Sequence, residues 1–191
     1  MYAALLRGIN VGGNRKVPMA ELRELLGGLG HGAVRTYLNS GNAVFSSDSS
    51  DEEALAAGLE EALEQRFGFH VACIVRGAEY LRDVRDACPL PSGPSGPSDL
   101  TDPARGVGGK ELHVVFCSRS VPAERLASLD AAAYLPEEVR AGDRALYLYT
   151  PGGLGTSRLS PALHRPGVLG GVDATARNWN TVTALVELTR D

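Results

Sequence analysis

Hydrophobic patterning runs through the same order of elements twice along the 191-residue chain, and few folds accommodate such a repeat. Residues 2–6 form a continuous apolar run, the signature of a strand buried on both faces. Leu22, Leu25, Leu26 and Leu29 then fall at i, i+3, i+4 and i+7, a helical stripe with Pro18 near its first turn and Gly27, Gly28 and Gly30 at its end. Two β-rich runs, residues 33–38 and 42–46, are joined by Asn39-Ser40-Gly41 and predict a hairpin. Ser50-Asp51-Glu52-Glu53 has the form of a capping box, ahead of Leu55, Leu59, Ala62 and Leu63 at helical spacing. A strand over residues 70–76 and a short helix marked by Tyr80, Leu81, Val84 and Cys88 complete a β-α-β-β-α-β-α series.

The series returns with a strand over 112–117, a helix over 122–129, and a hairpin of 139–141 and 145–149 turning at Gly142-Asp143. A short helix over 158–163, a strand over 174–177 and a terminal helix follow. That last helix carries Val182, Leu185 and Leu188 and begins near Asn178 or Asn180. Gly41 and Gly142 are 101 residues apart, and so are Arg76 and Arg177, which points to an internal duplication. The predicted fold class is α+β: two ferredoxin-like β-α-β-β-α-β(-α) halves, each a four-stranded antiparallel sheet with helices on one face. Residues 1–90 and 111–191 are the two halves. Residues 91–110, dense in Pro, Gly and Ser, are the linker or loop between them. The second face of each sheet must be covered by another sheet, by continuation of the sheet, or by a ligand in a cleft; spacing alone leaves the three open.

Composition narrows the partners. With 43% hydrophobic residues the chain can build a core without metals or disulfides. Its three cysteines are an odd number with no short pairing, and Arg7 interrupts the first apolar run before it resembles a signal peptide, so a reducing cytoplasm is the expected setting. No stretch approaches the roughly 20 apolar residues of a membrane span. The net charge of −4 and an aromatic share of 6% argue against nucleic acid, although the element order is also that of RNA-binding RRM domains. His31, His70, His113 and His164 lack metal-ligand spacing with the cysteines, so no metal is expected.

Three segments can carry chemistry. Arg7-Gly8-Ile9-Asn10-Val11-Gly12-Gly13-Asn14-Arg15-Lys16 joins a strand to a helix, with glycines that let amides approach a ligand and cations around them. It matches neither the dinucleotide nor the Walker phosphate fingerprint, and a self-satisfied loop is the competing account. Pro151-Gly152-Gly153-Leu154-Gly155-Thr156-Ser157-Arg158 also leads from strand to helix. Thr and Ser there suit ordinary capping, but Arg158 in a first turn opposes the helix dipole and needs an acid or a bound anion. Thr175-Ala176-Arg177-Asn178-Trp179-Asn180-Thr181 offers either a capped helix with Trp179 as packing anchor or a polar cleft lined by Arg177 and the asparagines.

Several stretches closely resemble the signatures of the bacterial domain-of-unknown-function family 1697. They are Leu5-Leu6-Arg7-Gly8-Ile9-Asn10-Val11-Gly12-Gly13, Lys16-Val17-Pro18-Met19-Ala20-Glu21-Leu22-Arg23, Ser40-Gly41-Asn42-Ala43-Val44-Phe45-Ser46-Ser47 and Thr175-Ala176-Arg177-Asn178-Trp179-Asn180-Thr181-Val182. Gly153-Leu154-Gly155-Thr156-Ser157-Arg158-Leu159 is similar to a further segment of that family, while the Pro/Ser/Gly tract departs from it. The resemblance implies a soluble bacterial protein of two similar α+β halves and transfers no catalytic residue or cofactor.

The leading functional expectation is a small anionic ligand, a nucleotide or phosphorylated metabolite, bound where Arg7, Asn10, Lys16, Ser40, Asn42, Ser157, Arg158, Arg177, Asn178 and Asn180 converge near strand ends. The alternatives are an enzyme acting on a phosphate-bearing or nucleotide substrate, for which no base or nucleophile is identifiable, and an interaction module whose open sheet face forms a homodimer.

Overall fold

The computed structural model describes residues 1–13, 15–89 and 109–190. The tract expected as a linker therefore lies outside the described residues, except for Gly109 and Lys110. Contacts divide the chain into two units: Met1–Arg82 with Ala184–Asp191, and Asp83–Thr183.

The first unit follows the expected order: β1 (Tyr2–Leu6), α1 (Met19–Gly28), β2 (Gly32–Tyr37), β3 (Asn42–Ser46), α2 (Glu52–Phe67), β4 (Cys73–Gly77) and the start of α3 (Ala78–Asp86). Its antiparallel sheet has the order β2-β3-β1-β4, so the first strand lies inside the sheet, as its non-alternating apolar run requires. Ala4, Leu6, Ala43, Phe45, Cys73 and Val75 project from one face onto Leu22 and Leu26 of α1 and Leu55, Leu59 and Leu63 of α2. The period-two alternation puts Ala3, Leu5, Val44, Ile74 and Arg76 on the other face, and these are buried as well.

The second unit contains the rest of α3, then β5 (Leu112–Cys117), α4 (Ala123–Ala127), β6 (Glu138–Gly142), β7 (Ala145–Tyr149), α5 (Leu159–Leu163), α6 (Pro166–Leu169), β8 (Ala174–Asn178) and most of α7 (Trp179–Leu188). Its sheet, β6-β7-β5-β8, repeats the first sheet's order, giving two antiparallel α+β layers with the ferredoxin-like layout. Val115, Cys117, Leu146, Leu148 and Ala174 face the core built with α5 and α6. Val114, Phe116, Tyr147, Thr175 and Arg177 lie buried on the opposite face.

Three local details depart from expectation. The cap of α2 is Asp51 and not Ser50: the Asp51 carboxylate accepts the Glu53 and Ala54 N–H groups at 3.0 Å each, a geometry that Ser50, one residue earlier, does not supply. The β6–β7 hairpin turns at Asp143-Arg144, one residue later than expected, because Gly142 still pairs with Ala145. The offset between halves also varies along the chain. Arg76 and Val44 flank Ala3, and Arg177 and Tyr147 flank Val114; the arginines are 101 apart but the hairpin strands are 103 apart. Gly41 and Gly142 are thus not register equivalents, whereas Arg76 and Arg177 are. No helix among the described residues is long and apolar enough to cross a membrane.

Candidate functional site

The loop after β1 is held by Asn10. Its backbone is left-handed (φ 56°), a conformation asparagine tolerates better than most residues. Its side-chain Nδ2 donates to the carbonyl oxygens of Val17 (3.0 Å) and Asn39 (2.8 Å), while Oδ1 accepts the Val17 N–H (2.9 Å). One side chain therefore closes the loop and ties it to the β2–β3 turn. Asn42, fully buried, fixes the same turn from below by donating to the Tyr37 carbonyl (2.9 Å) and Ser40 Oγ (3.0 Å). Gly41 completes the junction at φ 81°, where an added Cβ would come within 2.8 Å of Leu6 Cβ and 2.9 Å of Ile9 Cδ1.

The tie leaves a cleft of about 410 Å³ in the first unit, lined by Asn10, Gly13, Lys16, Val17, Pro18, Met19 and Asn39. Pro18 and Met19 form an apolar wall at the start of α1, the Val17 side chain being buried in the core; Lys16 supplies the charge. The N-cap of α1 is Pro18, with no side-chain oxygen for the first-turn amides. Of the five candidates in this half, Asn10 and Lys16 line the cleft. Asn10 spends its side-chain groups on the loop. Asn42 is buried, and Arg7 and Ser40 are exposed outside the lining.

The second strand-to-helix segment is arranged differently. Glu137, just ahead of β6, directs its carboxylate to the start of α5: Oε1 accepts the Arg158 N–H (2.9 Å), and Oε2 accepts the Leu159 N–H (3.2 Å) and the Ser157 hydroxyl (2.5 Å). Ser157 Oγ in turn accepts the Ser160 N–H at 2.8 Å. Burial pushes the Glu137 pKa up, but the Ser157 hydroxyl, the two amides and the Arg158 charge outweigh it and hold the carboxyl below its ordinary range. Glu137 meets Arg158 through the backbone N–H, and the Arg158 charge acts on the carboxyl as a nearby favourable field. Arg158 also lies over the Tyr134 ring, 5.9 Å from its centroid.

The third segment splits. Asn178 caps α7, its Oδ1 accepting the Thr181 N–H at 2.9 Å, which settles the choice between Asn178 and Asn180. Asn180 is exposed and its N–H points to the Gly109 carbonyl at 3.5 Å. Arg177 is buried on the sheet face away from the α5–α6 core and donates to Thr175 Oγ1 (2.7 Å) and the Ala176 carbonyl (2.9 Å). Arg76 mirrors it by donating to the Val75 carbonyl at 2.7 Å, and it also pairs with Glu52 at 3.4 Å. Glu52 further accepts the Gly77 N–H at 2.7 Å, so it joins α2 to the end of β4.

Sequence reasoning missed Glu137, Glu52 and the Pro18-Met19 wall. The charge of Arg158 in a first turn pointed to an acid or a bound anion without choosing between them, and Pro18 registered only as a helix start. Burial lowers the pKa of His113, opposed in part by the Glu111 backbone, and of His31, which packs against Phe45. Neither lines the cleft, and no carboxylate does among the described residues. No cluster of three or more His, Cys, Asp or Glu able to hold a metal occurs among the described residues.

A family model described as "Protein of unknown function (DUF1697)" matches residues 1–147. Among solved structures, the conserved bacterial protein SP0830 from Streptococcus pneumoniae superposes with a TM-score of 0.68 at 24% identity, over 99% of this chain and 98% of that one. At that identity the likeness speaks for the fold. No curated protein matches the chain.

Proposed function

The chain belongs to the DUF1697 family of proteins of unknown function, and from that premise we propose that it binds a small anionic ligand in the cleft between the β1–α1 loop and the β2–β3 turn. One observation carries the reading: the cleft joins Lys16 to a helix start that lacks a side-chain cap. Of the helices of ten residues or more, α2 starts under the Asp51 carboxylate and α7 under Asn178, whereas α1 starts behind Pro18. First-turn amides and a lysine ammonium are complementary to a phosphate or carboxylate group. The volume lies in the range of small-molecule sites. The Asn10 clamp supports the reading further, since it fixes the walls before any ligand arrives and reduces the ordering cost of binding.

Glu137 shows what an anion does at such a place in this protein: it takes up two backbone amides and a hydroxyl at the start of α5. In the proposed site the anion comes from outside. Thermal unfolding in increasing inorganic phosphate tests this. A ligand at 100 times its dissociation constant stabilises the folded state by about 2.7 kcal/mol, so the transition rises with phosphate and Lys16→Ala removes most of the rise. A transition equally insensitive to phosphate, sulfate and phosphorylated metabolites would defeat the reading.

A further inference from the structure

The cleft carries more apolar surface than an inorganic anion requires. Pro18 and Met19 line one side, next to the buried Val17. Among the described residues four large hydrophobic side chains are markedly exposed, and two of them, Val11 (70%) and Leu38 (55%), directly follow and precede the cleft residues Asn10 and Asn39. The Asn10–Asn39 hydrogen bond holds their two loops together at 2.8 Å. Leu38 sits in a left-handed backbone at φ 58°, which is unfavourable for a leucine and easier for asparagine or glycine. An exposed apolar side chain on a strained turn beside a lysine-bearing cleft has no evident role in packing the core.

We propose that the ligand is a nucleoside monophosphate, its phosphate at Lys16 and its base over Pro18 and Met19, with the exposed Val11 and Leu38, each next in sequence to a lining residue, closing on its edges as a rim. This rests on the anion-binding reading above and deepens it. A planar base suits such a surface: proline and methionine give it flat and polarisable contact, and the aliphatic rim closes its edges. A phosphorylated polyol would gain the lysine contact but leave the apolar surfaces in water. The net charge of −4 favours a mononucleotide over a nucleic-acid strand, whose many phosphates the protein as a whole repels.

Titration calorimetry on the full chain separates the two levels of the argument. The probes are inorganic phosphate, ribose 5-phosphate and the adenosine, guanosine, cytidine and uridine 5′-monophosphates. At least one nucleotide is expected to bind tenfold or more tightly than ribose 5-phosphate. Leu38→Asn, which suits the left-handed turn and so keeps the fold, and Val11→Ser are each expected to lower nucleotide affinity severalfold and leave ribose 5-phosphate unchanged. Lys16→Ala is expected to weaken both. If ribose 5-phosphate binds as tightly as every nucleotide, or if both rim variants keep full nucleotide affinity, the nucleotide assignment is overturned while anion binding stands. If no phosphate compound binds, both fall.

Discussion

Glu137 and Asn10 are single residues on which whole loops depend, by different chemistry. The Glu137 carboxyl has a folded pKa below its ordinary value of 4.5, so its interactions add stability that is present above that value and lost as pH falls through the lower, folded one. Glu137→Ala removes a cap-like set of hydrogen bonds and is expected to cost about 1–2 kcal/mol at neutral pH. Urea unfolding checks this: the gap between wild type and variant is present at pH 7 and narrows below about pH 4.5, and a gap independent of pH would contradict the assignment. Asn10 carries no charge, so its contribution has no such pH dependence. Asn10→Ala loses three hydrogen bonds and places alanine at φ 56°; a cost of roughly 2–3 kcal/mol follows. Amide exchange should quicken in the β1–α1 loop and the β2–β3 turn together, since one side chain ties both.

At the scale of elements, the start of α1 offers a direct way to compete with the proposed ligand from inside the protein. Pro18 already has the extended geometry of a cap (φ −62°, ψ 134°) but no capping oxygen. Pro18→Asp supplies a carboxylate at that place, as Glu137 does for α5 and Asp51 for α2. The variant is expected to be as stable as the parent, or about 1 kcal/mol more so, and to lose the phosphate response. A phosphate-dependent rise that survives in Pro18→Asp would put the ligand elsewhere. This element also shows what could be read without coordinates. Its helix was legible because Leu22 and Leu26 recur at core spacing, and β1 was legible because an apolar run without alternation belongs inside a sheet. Lys16 in its glycine-rich loop was legible as a cation at a strand-to-helix turn. The apolar wall was not, because Val17-Pro18-Met19 has the pattern of any helix entry, and only the fold brings Pro18 and Met19 to the same cleft as Asn39. The α2 cap slipped by one residue because Ser50 and Asp51 are both good cap types and the chain path decides between them. The α6 turn escaped because Pro166-Gly167 carries no periodic signal.

For the whole molecule, the two units are not two consecutive stretches of chain. Residues Ala184–Asp191, the last in sequence, cluster with the first unit, so α7 begins in one unit and ends in the other. Arg35 of β2 marks the return: its Nη2 donates to the Leu188 carbonyl at 2.9 Å, near the C-terminal end of α7 where orphan carbonyls need donors. Leu185 and Val186 are fully buried there. A first half cut from the chain at residue 82 would therefore lack part of its own unit, and its stability depends on residues made last. Leu185→Ala tests that dependence. Removing a fully buried leucine side chain costs about 2–5 kcal/mol, depending on how far the site collapses. If the C-terminal residues belong energetically to the first unit, hydrogen exchange in the variant should quicken in β1, β2 and β3 more than in β5, β6 and β7. The reverse order would mean that the end of α7 supports the second unit instead. Arg35→Ala provides the control. It removes one exposed hydrogen bond, for a cost of about 1 kcal/mol or less, and its effect should be confined to the β2 edge and the last turn of α7.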